Sequence, residues 1–128
     1  MRRLKKQERL PLNDEKLNFS KEEIISDLIK RIKFHTGPKQ EIQDEDTIRF
    51  TTRDMTFCTI KPEDDCVKVI CELPYDRILD MSRKCEVQTY AAEDNTDIVT
   101  YRVKTKFDVQ YAVSIVQQSY IYRTRLKL

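Results

Sequence analysis

The chain has 128 residues, the usual size of one domain, and 36% of them are charged. Lys and Arg number 24 against 22 Asp and Glu, so the formal net charge is only +2, which excludes a uniformly basic nucleic-acid wrapper and a polyacidic tail protein. The apolar share is 39%, low but gathered in periodic clusters, so we expect a modest packed core rather than disorder.

Residues 1–19 are predicted to form a basic, flexible arm, because they contain no sustained apolar period. They also lack the apolar stretch of a secretory signal, and no run in the chain approaches the roughly 20 apolar residues that span a bilayer. We therefore expect a cytoplasmic protein without a membrane segment, in which one domain, residues 20–128, follows the arm. The basic residues of the arm are Arg2, Arg3, Lys5, Lys6, Arg9 and Lys16.

The first helix is predicted to begin after Ser20, whose hydroxyl can cap the amide of Glu23. Apolar residues then recur from Ile24 to Ile32 with the spacing of a helix that buries one stripe. Gly37 is the only glycine in the chain and proline follows it, so we expect the helix to end near His35.

Five strands are predicted after an acidic polar stretch, residues 41–46. They cover residues 47–52, 56–61, 66–73, 85–90 and 97–103. Short turns join the first three, which predicts an antiparallel meander, while residues 75–81 favour a short helical or irregular turn.

The last helix is predicted from Lys106 onwards with Thr105 as its cap. Ile115 is placed at the flank of an inward stripe made of Phe107, Val109, Ala112, Val113, Val116 and Tyr120. The expected fold class is therefore α+β: an antiparallel sheet of about five strands, flanked by an N-terminal and a C-terminal helix on one face.

Two runs, residues 26–74 and 97–120, resemble a prokaryotic domain of unknown function that is labelled "predicted transport protein". That domain often forms the C-terminal part of larger bacterial and archaeal proteins, some with nuclease or restriction-like domains. The sequence departs from the family at residues 90–95, which contain no Gly, His or Trp where many members have Gly-His-Trp-Gly. It also lacks the lysine that commonly opens the first strand, so neither feature carries a role over to this chain.

Catalytic chemistry has few candidates in this sequence. His35, the lone histidine, is better explained by a helix C-terminus than by acid-base catalysis. Four cysteines, Cys58, Cys66, Cys71 and Cys85, contain no C-x-x-C spacing, which favours small buried side chains in a reducing compartment over a zinc site. One glycine cannot build a phosphate-binding loop. We therefore predict a non-enzymatic protein without catalytic, cofactor-binding or metal-binding residues.

Two kinds of partner stay open. The first is a protein partner or a second copy of the chain on the sheet face that the helices leave free, with Tyr101, Val103 and Tyr122 as candidate interface residues. The second is nucleic acid, because the two termini are basic and tyrosines lie beside the second cluster. The candidate nucleic-acid contacts are Arg2, Arg3, Lys5, Lys6, Arg9, Arg123, Arg125 and Lys127.

Overall fold

The structure, a computed structural model, describes residues 21–37, 40–44, 46–52 and 55–125. They form two helices, α1 (Lys21–Thr36) and α2 (Val109–Thr124), and six strands. The strands are β1 (Gln40–Asp44), β2 (Thr47–Thr52), β3 (Met55–Pro62), β4 (Val67–Glu72), β5 (Glu86–Gln88) and β6 (Ile98–Val103).

All the strands belong to one antiparallel sheet with the order β1-β2-β3-β4-β6-β5. The buried side chains of both helices join those of the sheet in a single apolar core, so the two helices lie on the same face. The predicted α+β class, with one helix before the sheet and one after it, is confirmed. The predicted basic arm lies outside the described residues.

Helix α1 packs through the stripe that its sequence predicts. Ile24, Leu28 and Ile32 are buried, and the helix ends at Thr36. Gly37 follows with a left-handed backbone (φ 77°), and its amide donates to the carbonyl of Lys33 at 2.9 Å. Glycine adopts this conformation without a steric penalty, so the helix ends where the sequence predicts.

Strand β1 is a sixth strand that the sequence analysis did not predict. It pairs with β2 along its whole length, from Gln40 opposite Thr51 to Asp44 opposite Thr47. Its sequence, QEIQD, has no alternation of apolar residues. An edge strand does not need one, since backbone hydrogen bonds to its neighbour can hold it in place. Glu41 also forms an ion pair with Lys33 of α1 at 2.7 Å.

The central strands bury alternate residues, as a sheet with one covered face requires. The helix-covered face is formed by the buried side chains of Ile48, Phe50, Thr52, Val67, Val69, Cys71, Val99, Tyr101 and Val103.

Strand β3 departs from this alternation because it contains a bulge. Phe50 pairs with Cys58 and Thr51 with Thr56, so Phe57 is an extra residue in β3. In such a bulge two successive side chains point to the same face, and Phe57 and Cys58 are both fully buried. The hydroxyl of Ser119 in α2 donates to the carbonyl of Phe57 at 2.6 Å.

Helix α2 begins as predicted, with one correction. Thr105 and Asp108 form a capping box around a short 3-10 turn, Lys106–Asp108, that precedes the helix. Phe107, predicted to point inward, lies in this turn and is 72% exposed. Ile115, predicted at the flank, is buried, because α2 contacts the sheet as well as α1.

Candidate functional site: the uncovered face of the sheet

The second face of the sheet is covered by neither helix, and we call it the uncovered face. It is formed by residues that alternate with the buried ones, and register places Thr59, Ile70 and Thr100 side by side on β3, β4 and β6. Each of the three is only partly exposed, because its neighbours in the sheet shield it. The centre of this face is therefore neutral and made of small or branched side chains.

One end of the uncovered face is basic, and we call it the basic end. Lys61 pairs with Lys68, and Lys68 pairs with Arg102, so three cations stand in one row across β3, β4 and β6. Lys104 follows at the end of β6. Like charges opposite each other on neighbouring strands reduce the stability of a sheet.

Two carboxylates reduce this repulsion without balancing it. Glu86 bonds to the guanidinium of Arg102 with a shortest distance of 2.7 Å, and this hydrogen bond lowers the pKa of Glu86. Glu63 lies 3.9 Å from the ammonium of Lys68. Lys61 has no ion pair among the residues that the structure describes. The row therefore keeps an excess of positive charge.

The opposite end of the uncovered face is acidic, and we call it the acidic end. Glu72 closes β4 there, and Glu93 and Asp94 come from the segment between β5 and β6. These residues line a hollow of about 440 Å³ together with Arg49, Thr56, Thr59, Ala91, Ala92, Ile98 and other neighbours. Burial raises the pKa of Glu72, the charge of Arg123 acts against this, and the nearby Asp94 and Glu93 add to the effect of burial.

Arg123 ties the end of α2 to the acidic end. Its Nη1 atom lies 2.6 Å from a carboxylate oxygen of Asp94, and its Nη2 atom donates to the backbone carbonyl of Glu72. The side chain is buried, and its guanidinium lies 5.3 Å from the ring of Tyr122. Arg123 therefore anchors a helix and offers no free charge to a nucleic acid.

Most of the other predicted nucleic-acid contacts lie outside the described residues. Arg2, Arg3, Lys5, Lys6, Arg9 and Lys127 belong to this group. Arg125 is described and exposed at the end of α2. Of the predicted nucleic-acid contacts, the described residues therefore include Arg123 and Arg125 alone.

The predicted interface residues need a correction. Tyr101 and Val103 are buried on the helix-covered face, where the hydroxyl of Tyr101 donates to Asp108 at 3.2 Å. Tyr122 is partly exposed, beside the guanidinium groups of Arg77 and Arg123. The prediction was wrong about Tyr101 and Val103 because it inverted the phase of β6, whose outward residues are Thr100 and Arg102.

A second polar cluster organises the connection between β4 and β5. The carboxylate of Asp80 accepts hydrogen bonds from the hydroxyls of Tyr75 and Tyr111 and from the amides of Lys84 and Cys85. Burial acts to raise the pKa of Asp80, but these hydrogen bonds outweigh it and lower the pKa to about 2. Burial and the charge of Asp80 raise the pKa of Cys85 to about 12, so this thiol is a poor nucleophile at neutral pH.

The cysteines occupy the positions expected for small core residues. Cys58, Cys66 and Cys71 are buried, Cys85 is partly buried, and all four are free thiols. Cys58 and Cys71 are neighbours on the helix-covered face, where a hydrogen bond to Cys71 and burial raise the pKa of Cys58. Among the described residues, no group of three or more His, Cys, Asp or Glu is arranged to hold a metal ion.

A shallow apolar groove lies on the helix side of the molecule. It has a volume of about 550 Å³ between α2 and residues 79–82, and Leu79, Met81 and Ile121 line it with exposed side chains. The side chain of Gln118 fixes one edge of the groove, because its oxygen accepts a hydrogen bond from the amide of Leu79 and its nitrogen donates one to the carbonyl of Leu79. None of the described residues that line this groove is charged.

Comparisons with protein-family models, with curated proteins and with solved structures gave no match. The resemblance to the domain labelled "predicted transport protein" therefore stays a prediction. Within the described ranges, neither helix has the length and apolar character needed to cross a bilayer.

Proposed function

We propose that the chain is a non-enzymatic protein-interaction module, and that the uncovered face of the sheet is its binding surface. The observation that carries this proposal is the arrangement of both helices on one side of a six-stranded sheet. This arrangement leaves the other side of the sheet, from the basic end to the acidic end, without a covering element among the described residues. A wide sheet face that ends in two regions of opposite charge suits recognition of another protein surface.

The distribution of charges on the uncovered face supports the binding of a partner. The cations of the basic end lie on β3, β4 and β6, while the carboxylates of the acidic end lie beyond the neutral row of Thr59, Ile70 and Thr100. Charges of opposite sign at the two ends of one surface steer a partner and fix its orientation.

The proposal is tested by a photo-crosslinking amino acid placed on the face in the full chain. Thr100→p-benzoylphenylalanine puts the probe at the centre of the uncovered face, and Lys30→p-benzoylphenylalanine puts it on an exposed position of α1 as the control. We expect illumination of cells to give covalent adducts from position 100 and few from position 30. Equal yields at the two positions, or no adduct from position 100, would contradict the proposal.

A second candidate function is nucleic-acid binding, which the basic row favours. Three cations at neighbouring register positions concentrate positive charge on one part of the surface, and such a concentration attracts a phosphate backbone. We expect any such binding to weaken steeply with salt, and Lys61→Gln to reduce that salt dependence by about one released counterion. Fluorescence anisotropy with duplex and single-stranded DNA measures this. If deletion of residues 1–10 alone removes the salt dependence, the arm and not the sheet is the contact.

A further inference from the structure

We propose that the partner on the uncovered face is a second copy of this chain, related by a two-fold axis that lies between the two faces, perpendicular to the strands and over Ile70. This inference rests on the proposed function and names the partner. The two faces meet so that the basic end of each copy lies against the acidic end of the other.

The outward residues of β4 are the first argument. Lys68, Ile70 and Glu72 alternate with the buried residues of this strand, so Ile70 lies midway between a cation and a carboxylate. A two-fold rotation about an axis over Ile70 reverses the direction of the strand. It places Lys68 of each copy opposite Glu72 of the other. The pattern is therefore complementary to itself.

The same pair cannot form inside one chain. Residues 68 and 72 are four positions apart in an extended strand, which separates their backbones by about 13 Å. The carboxylate of Glu72 forms no hydrogen bond or ion pair among the described residues, although the charge of Arg123 partly offsets the effect of burial on its pKa. A lysine of a second copy would give this carboxylate a direct ion-pair partner.

The surroundings of β4 extend the complementarity. Lys61 and Arg102 flank Lys68 in the basic row, and Glu93 and Asp94 lie beside Glu72. The hollow of about 440 Å³ at the acidic end gives space for long basic side chains from the other copy. Arg49 and Arg123 also line this hollow, and Arg123 is paired with Asp94, so Glu72 and Glu93 carry the negative charge that is left for a partner.

The size of the face predicts a weak dimer. Six strands spaced by about 4.8 Å, each about 20 Å long, present on the order of 500 Å² per copy. Stable complexes bury roughly 800 Å² per partner, so this face falls in the range of transient association. We therefore expect the association to appear at high micromolar concentration.

Charge exchange on β4 tests the two-fold arrangement. Sedimentation velocity over a concentration series should show a monomer-dimer equilibrium for the wild-type chain. Lys68→Glu and Glu72→Lys should each raise the dimer dissociation constant roughly ten-fold, because each change places like charges opposite each other twice per dimer. The double variant Lys68→Glu/Glu72→Lys should restore the wild-type value, and Lys30→Glu on α1 should leave it unchanged.

Each alternative result overturns the inference. A chain that stays monomeric at millimolar concentration has no such interface, and single variants that dimerise like the wild type place the contact elsewhere. Failure of the double variant to recover, while circular dichroism shows that it is folded, excludes the two-fold pairing. An adduct from position 100 with a different protein would support the proposed function but contradict a second copy as the partner.

Discussion

The helix-covered face and the uncovered face are built from alternate residues of the same strands, yet they differ in what their side chains contact. The covered face is almost wholly apolar and solvent-free, with Phe50 and Phe57 among its largest buried side chains. The uncovered face has neutral, small or branched residues at its centre and opposite charges at its ends. Folding free energy therefore comes mainly from one face, and the other is free to carry charges that stabilise the fold little.

The largest expected difference between the two faces is in the cost of removing an apolar side chain. Leu28→Ala should lower the free energy of unfolding by about 2–5 kcal/mol, because Leu28 of α1 is fully buried in the apolar core. Ile70→Ala on the uncovered face should cost less than about 1.5 kcal/mol, since Ile70 is partly exposed. Urea denaturation of both variants measures this. Equal losses would mean that the uncovered face is part of the core.

Ser119→Ala tests the polar contact that the bulge creates on the covered face. The variant leaves the buried carbonyl of Phe57 without its hydroxyl donor, so we expect a loss of about 1–3 kcal/mol. Ser114→Ala, on a partly exposed side of α2, is the matched control and should change stability by less than about 0.5 kcal/mol. A neutral Ser119→Ala would show that the bulge does not depend on this bond.

The Asp80 cluster predicts how stability depends on acid. The pKa of Asp80 is lowered to about 2 in the fold and is about 3.9 in an unfolded chain, so its stabilising effect is complete above pH 4 and is lost as the pH falls towards 2. Asp80→Asn should lower stability at pH 7 by about 1–3 kcal/mol and should show a weaker loss between pH 4 and 2. Thermal unfolding at several pH values measures both effects. Parallel pH curves for the variant and the wild type would contradict them.

The smallest effect is expected from the ion pair of Glu86 and Arg102 on the uncovered face. Glu86→Gln should cost less than about 1 kcal/mol at low ionic strength, and the difference should shrink with added salt. Thermal melts at two salt concentrations test this. If a large loss persists in high salt, the pair is shielded from solvent, and the contrast between the two faces is weaker than we infer.

Much of the fold follows from local signals in the sequence. The apolar period and Gly37 predicted where α1 lies and ends, and Thr105 predicted the start of α2. Alternation of apolar residues predicted five of the six strands. Strand β1 was missed because its polar sequence carries no alternation, and the bulge at Phe57 was missed because no residue type marks it. Both depend on pairing with a neighbouring strand, which a local pattern does not contain.

The candidate site was harder to predict than the fold. The alternation that buries Val67, Val69 and Cys71 also sends Lys68, Ile70 and Glu72 outward, so the sequence did contain a signal for these residues. Applied to β6, the same rule would have placed Tyr101 inside. The attachment of Arg123 to Asp94 joins residues far apart in the chain, and no sequence pattern predicts it.

The short edge strand β5 limits how large an assembly of this protein can grow. Only three residues, Glu86–Gln88, pair with β6, and the backbone turns into left-handed conformations at Arg83 and Tyr90 on either side. A further strand added at this edge would gain few hydrogen bonds, which disfavours open-ended fibres. At the opposite edge, the ion pair of Glu41 with Lys33 places charge beside the unpaired backbone. Association through the sheet face, by contrast, is closed once two chains have met.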